Sequence, residues 1–223
     1  MKLKEVVPWG RGLAEYRLMF DLSDDDLGLS ILGCADGPAS FNRELSAGQV
    51  VSVDPVYQFS RAELEQRISD CYFEVMSEVQ KNQQNFVWTF FKNPAKLAQA
   101  RMEAMNLFLD DFERGKQQDR YRVGSLPTLD FSDNQFDLAL CSHFLFLYSD
   151  LLSLEFHLAS IRELCRVAKE VRIFPLLELS GYQSVYVHRV LSELRKSGLM
   201  VEVNQVAYEF QKGANKMMRI YHK

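Results

Sequence analysis

Ser30-Ile-Leu-Gly-Cys-Ala-Asp-Gly-Pro-Ala-Ser-Phe41, followed by Val50-Val-Ser-Val-Asp54, is the stretch on which the fold turns. Leu29 to Leu32 is a short apolar run that stops at Gly33. Pro38 to Leu45 suits a helix, with Pro38 tolerated in its first turn, and Gly48 is expected to end it. Val50 to Val53 is a second apolar strand. Strand, helix and strand in that order make a β-α-β unit of the parallel, doubly wound kind.

The same rhythm continues outward. Ser60-Arg-Ala-Glu63 reads as a capping box, and Leu64, Ile68, Tyr72, Val75 and Val79 follow at helical spacing. Asn93-Pro94 opens another helix, with Leu97, Ala100, Ala104, Phe108 and Phe112 on one face and Gly115 expected as its C-terminal cap. Strands are expected at Tyr121 to Gly124, Phe136 to Leu140 and Val171 to Phe174, the last ended by Pro175. Helices are expected from Ser153 to about Ala168 and from Ser184 to Lys196, where Gly198 stops the second. Leu199 to Phe210 and Lys216 to Tyr221 read as two strands joined by the turn Gln211 to Asn215. So short a connection makes them antiparallel. The fold expected is α/β: a Rossmann-like, doubly wound, mostly parallel seven-stranded sheet with an antiparallel C-terminal hairpin. Residues 1–223 read as one domain, with a lead-in or lid over 1–28 and a helical insertion over 58–118.

Composition agrees with that class and excludes others. The chain has 223 residues, 47% hydrophobic and 25% charged, with a net charge of −4. Those fractions are globular averages and argue against disorder. The acidic balance provides no general attraction for nucleic acid or anionic lipid. No apolar run approaches the roughly eighteen residues that span a bilayer, and the N-terminus lacks the apolar core of a signal peptide. Cys34, Cys71, Cys141 and Cys165 are too scattered for a zinc site, so no metal is expected. Reduced thiols in a cytoplasmic protein are the expectation, with Cys71 and Cys165 as small buried hydrophobes.

In an open parallel sheet the ligand site lies beyond the carboxyl ends of the strands, at the switch point. That selects Gly33 to Gly37, Asp54 to Tyr57, Ser125-Leu126 and Cys141 to His143. Glycines let backbone approach a ligand closely, and a carboxylate ending the second strand can hold ribose hydroxyls. The bland alternative for Asp54 is a turn residue before Pro55.

These two segments, together with Val123-Gly-Ser-Leu-Pro-Thr-Leu-Asp-Phe-Ser-Asp-Asn-Gln-Phe-Asp-Leu-Ala-Leu-Cys-Ser-His143, resemble the ordered motifs of class I S-adenosylmethionine-dependent methyltransferases, in a bacterial subgroup. The resemblance covers Leu29 onward, apart from the helical insertion, and the C-terminal hairpin belongs to it. It implies S-adenosylmethionine as cofactor. Gly33, Cys34, Ala35 and Gly37 would line its methionine part. Asp54, with Pro55, would hold the ribose. Ser125 and Leu126 would face the adenine, and Cys141 to His143 would border the methyl group. Three positions depart from the family pattern: Ile31 and Ser125 where it has acids, and Ala35 where it has glycine. Each departure would cost about 1 kcal/mol, about fivefold in affinity.

Methyl transfer is an in-line displacement that needs alignment above all. A base is required only where the nucleophile must shed a proton. His143 is the candidate base; the alternative is a histidine that packs beside the cofactor. His157, on a helix, reads as structural. Arg11 in Val7-Pro-Trp-Gly-Arg-Gly12 has the planar fork that suits a carboxylate, the cofactor's or a substrate's. Trp9 and Tyr148 are the candidate substrate contacts. The insertion, with its aromatic centre Phe86 to Phe91, has three uses open to it: a lid, a homodimer surface, or an enlarged core layer, the commonest fate of apolar stripes. The function expected is methyl transfer to a small-molecule acceptor. The alternatives are a degenerate, non-catalytic interaction module and, further behind, a nicotinamide-dependent oxidoreductase.

Overall fold

A strand apolar on both faces must be covered on both. Ile31, Leu32 and Cys34 of β1 (Ser30–Cys34) are at most 1% exposed, so β1 lies at the centre of a sandwich. The structure, a computed structural model, describes residues 7–45 and 49–223. Its other strands are β2 (Gln49–Val53), β3 (Tyr121–Arg122), β4 (Phe136–Ser142), β5 (Ala168–Phe174), β6 (Met200–Gln205) and β7 (Lys216–Tyr221). They form one seven-stranded sheet in the order β3-β2-β1-β4-β5-β7-β6. All neighbours are parallel except β7, which runs antiparallel to both β5 and β6. The sheet is thus the doubly wound, mostly parallel one expected, and its order reverses between β1 and β4.

Among the described residues six helices cover the sheet: α1 (Leu13–Met19), α2 (Phe41–Glu44), α3 (Arg61–Lys81), α4 (Pro94–Gln117), α5 (Leu154–Val167) and α6 (Val187–Lys196). One buried cluster joins α5 and α6 to the sheet through Ile161, Leu164, Val190 and Leu194. A second joins the N-terminal segment and the insertion to the other face through Tyr16, Phe41, Val75, Val79 and Leu97. A third is aromatic, with Tyr57, Phe108, Phe112 and Tyr121 under α3 and α4.

Local signals act where they are self-contained. The Ser60–Glu63 capping box is present in full, Asn93 caps α4 through the Lys96 amide, and Ser153 caps α5 through the Phe156 amide. They fail where a distant segment intervenes. The helix expected from Pro38 to Leu45 is only Phe41–Glu44. The Ser40 amide donates instead to the Arg11 carbonyl at 3.0 Å, and Gly10 lies so close that a Cβ there would fall 1.9 Å from the Pro38 oxygen. Gly48, its expected stop, lies outside the described residues, as do residues 1–6 of the lead-in.

Gly115 does not cap α4, which continues to Gln117. The Tyr121 ring takes the space that a side chain would occupy, with a Cβ at Gly115 meeting it at 2.3 Å. The strand expected from Leu199 to Phe210 ends at Gln205, and its partner pairing closes with Val206 N–H donating to the Asn215 carbonyl at 2.9 Å. Residues 207–214 arch away because the insertion takes their hydrogen bonds: Val87 N–H donates to the Phe210 carbonyl (2.7 Å) and Lys212 N–H to that of Asn85 (3.0 Å). The aromatic centre of the insertion therefore packs on this arch, with Phe86 stacked on Phe210 at 4.7 Å. No described helix is long and apolar enough to cross a membrane.

Candidate active site

The switch point is marked by backbone as well as by order. Ala35, just after β1, has φ 56°, and His143, just after β4, has φ 52°. L-residues rarely adopt that region, and such strain is held in place only by surrounding structure. Between them opens a cavity of about 140 Å³, floored by the strand ends and roofed by the segment 7–11, α3 and the 207–214 arch.

Asp54 ends β2 and lines this cavity. Its carboxylate accepts from the Gly37 amide on one oxygen and the Val56 amide on the other, both at 2.9 Å. Gly37 (φ 53°) turns its amide to make the first bond. Burial pushes the Asp54 pKa up to about 6, against the two amide bonds that lower it. Each oxygen keeps a lone pair for a further donor.

Asp36 is the site's unheralded carboxylate. It is 7% exposed and folds back over Gly33, where a Cβ would lie 1.9 Å from Oδ2. Gly33 is therefore required first by this side chain. Tyr16 donates its hydroxyl to Asp36 Oδ1 and Ser52 to Oδ2, both at 2.7 Å. Burial raises the Asp36 pKa, and the two hydroxyl donors oppose that rise.

Two arginines bring positive charge to the same space. Arg101, 1% exposed, forms a two-pronged ion pair with Glu15, the Nη2–Oε1 arm at 2.7 Å, and Tyr208 donates to the same carboxylate at 2.7 Å. Burial alone would raise the Glu15 pKa, but Arg101 outweighs it and holds the carboxyl below its usual value. Arg11 has no carboxylate partner among the described residues. Its Nη1 donates to the Trp9 carbonyl at 3.0 Å, and its buried Nε has no hydrogen-bond partner among them. Burial first, then Arg11 and Arg101, push the His143 pKa well below the usual imidazole value.

The cavity thus brings together Ala35, Gly37, Asp54, Arg11, His143, Trp9 and Tyr148 of the residues selected from sequence. Tyr148 also accepts from the Val7 amide at 3.4 Å. Others stand apart. Cys34 and Cys141 are register partners on adjacent strands with side chains buried in the core, 1% and 0% exposed. Ser125 is exposed and bridges to Thr128, while Leu126 is buried in the same core cluster as Ile161 and Leu164. Pro55 opens the short 3-10 turn Pro55–Gln58 and is exposed. His157 is buried between the Ser153 and Leu145 carbonyls, as a structural histidine.

Sequence reasoning gave no role to Asp36 and missed the ion pair of Glu15 and Arg101; the stretch Tyr208 to Lys216 reads from sequence as a solvated turn or an approach to the acceptor site, and its Tyr208 and Phe210 line the cavity. The first carried one signal, an acid inside the turn after a central strand. The arch's contacts with the insertion carried none, because Phe86 and Val87 lie more than a hundred residues from Phe210 in the chain.

No family model matches the chain. Among solved structures it is similar to a TehB-like SAM-dependent methyltransferase from Corynebacterium glutamicum, at 15% identity and a TM-score of 0.49, over 94% of this chain and 86% of that one. It is also similar to the magnesium protoporphyrin IX methyltransferase of Synechocystis with bound SAM, at 14% identity and a TM-score of 0.45, over 90% of this chain and 73% of that one. With 32% identity over 225 residues, spanning 99% of this chain and 98% of the relative, the chain belongs to the family of the uncharacterized protein MJ0045 of Methanocaldococcus jannaschii.

Proposed function

We propose that the protein transfers a methyl group from S-adenosylmethionine to a small-molecule acceptor. The observation that carries this reading is the placement of Asp54 and Arg11 in one cavity at the switch between β1 and β4. Asp54 has lone pairs to spare for vicinal hydroxyls. Arg11, with a buried and unpartnered Nε, suits the carboxylate of the amino-acid end or of the acceptor. These residues fit the cofactor. When bound, it supplies an activated methyl group on a sulfonium. Ala35 and Gly37 border the amino-acid end, Asp54 holds the ribose, and Trp9, Tyr148 and His143 face the acceptor. The chain's contribution is alignment and the exclusion of water by the aromatic roof.

A second reading, a methyltransferase-like fold without catalysis, is favoured by the Asp36 carboxylate lying over Gly33. Calorimetric titration with S-adenosylmethionine and its demethylated product separates the two. Micromolar binding, weakened at least tenfold by Asp54→Ala, is the expected result. A folded protein that binds neither compound at millimolar concentration overturns the reading.

A further inference from the structure

One guanidinium of the cavity has no ion-pair partner among the described residues. Arg11 and Arg101 both act on the carboxylate of Glu15. Both Glu15 oxygens are taken by Arg101, and Tyr208 adds its hydroxyl to one of them. Arg11 is left over. It lines the cavity, and its one side-chain bond among the described residues runs from Nη1 to the Trp9 carbonyl at 3.0 Å. Its buried Nε makes none. Nε and Nη2 form the edge of the guanidinium that takes a carboxylate on two parallel bonds, and that edge is unspent among the described residues. Burial first, then the Arg101 charge, lowers the Arg11 pKa. Arginine keeps its proton all the same, so the cavity holds a partly desolvated cation whose cost an anion offsets.

The other acids of the cavity do not serve Arg11. Asp36 is held by Tyr16 and Ser52, and Asp54 by the Gly37 and Val56 amides. Both follow β1 and β2, on that side of the cavity. The guanidinium turns the other way. The Arg11 carbonyl is pinned to the Ser40 amide at 3.0 Å, but the side chain folds back along its own segment to Trp9. That segment runs on to Val7, whose amide donates to the Tyr148 hydroxyl. The charge therefore stands toward β4. Burial first, and then this charge, keep the pKa of His143 low. The walls beyond are apolar, with Val75 and Val79 of α3, Phe86 of the insertion, Phe210 of the arch and Leu147 after β4.

We propose that Arg11 holds the carboxylate of the methyl acceptor on the β4 side of the cavity, and that the acceptor is a small carboxylic acid with an apolar body. That the acid is the acceptor rests on the methyl-transfer reading; the carboxylate site does not. The planar fork sets orientation as well as affinity. With the carboxylate on Arg11, the apolar body lies along α3 and the arch, and the cofactor keeps the side of Asp54. A neutral compound of the same shape meets the same walls but leaves the guanidinium unpaired, and is rejected on that ground.

Calorimetric titration with benzoate and with benzamide, the same ring without the charge, tests this. Both are run with S-adenosylhomocysteine saturating, so that the cofactor's own carboxylate is already in place. Benzoate is expected to bind at least tenfold tighter than benzamide, and Arg11→Gln to erase the difference. Arg11→Lys, which keeps the charge and loses the fork, is expected to restore part of it. Equal binding of the two compounds by the wild type, or binding of neither at millimolar concentration, overturns the proposal even if no variant folds. So does a preference for benzoate that survives Arg11→Gln in a folded protein. A preference seen in the free protein and abolished by S-adenosylhomocysteine also overturns it, because Arg11 then holds the cofactor's carboxylate. In that case Arg11→Gln weakens S-adenosylhomocysteine and leaves 5′-methylthioadenosine, which has no carboxylate, unchanged. Benzoate binding through Arg11 in a protein that binds no S-adenosylhomocysteine would strike the methyl-transfer reading and leave the carboxylate site standing.

Discussion

Asp54 carries its charge against its surroundings, and that has a thermodynamic signature. Its folded pKa is raised from the ordinary 3.8 to about 6 by burial. Between pH 4 and 6 the folded state therefore keeps a proton that the unfolded state has released. Linkage then requires stability to fall as pH rises through this window. A shift of about two units corresponds to something on the order of 3 kcal/mol. Asp36 acts in the same sense and Glu15 in the opposite one, since its pKa is lowered and its contribution is lost as pH falls. Urea unfolding across pH 4 to 7 is expected to show this decline, and Asp54→Ala to flatten it. An unchanged slope in the variant would mean that Asp54 is not the group responsible. Asp54 was legible because an apolar strand ends on it. Asp36 was not, because its place depends on Tyr16 and Ser52, which only the folded sheet brings to it. The glycines beside it suggested bare backbone for a ligand, and at Gly33 the occupant is the chain's own carboxylate.

Helix α4 shows what a propensity argument leaves out. Gly115 sits inside it, where alanine would ordinarily stabilise by about 1 kcal/mol. Here an added methyl group would strike the Tyr121 ring, itself fixed by Tyr57, Phe108 and Phe112. Overpacking of that kind costs about 1–3 kcal/mol. Gly115→Ala is therefore expected to lower the midpoint of thermal unfolding, with the far-UV spectrum unchanged. A rise in the midpoint would show that Tyr121 moves freely. Caps and apolar stripes were legible in α3, α4 and α5 because their partners lie within one turn. The shortened α2 and the early end of β6 were not, since the competing hydrogen bonds come from Arg11 and from the insertion. The same competition turned an expected long hairpin into a roof.

At the level of the molecule, the mostly parallel sheet with its antiparallel C-terminal hairpin was readable, because a β-α-β start and a short closing turn fix strand directions. The insertion was not. It enlarges the core through Phe108 and Phe112, packed on Tyr57, and also walls the cavity through Val75 and Val79. The cavity, about 140 Å³, is smaller than the roughly 300–1,000 Å³ typical of ligand sites. A nucleoside-sized cofactor therefore requires the roof to move. The segment 7–12 is the part to do so, held by the Pro8 carbonyl on the Cys71 thiol (3.3 Å), the Val7 amide on Tyr148 and Trp9 against Tyr72 (6.2 Å). Hydrogen-exchange mass spectrometry is expected to find its amides exchanging faster than those of α4, and slowing when S-adenosylmethionine is saturating. Equal protection with and without the cofactor would count against a moving roof.

The position of β7 has a further consequence for how the protein is made. It is the last strand in the sequence, yet it lies inside the sheet, between β5 and β6. While the nascent chain is still on the ribosome, β5 waits as an open edge and β6 has no neighbour. Tyr208, which ties the arch to Glu15, emerges only shortly before β7. Until β7 is made, the edge of β5 and the unpaired β6 are therefore open to other strands. In this sheet the interval between the synthesis of β5 and that of β7 is one of exposure to aggregation.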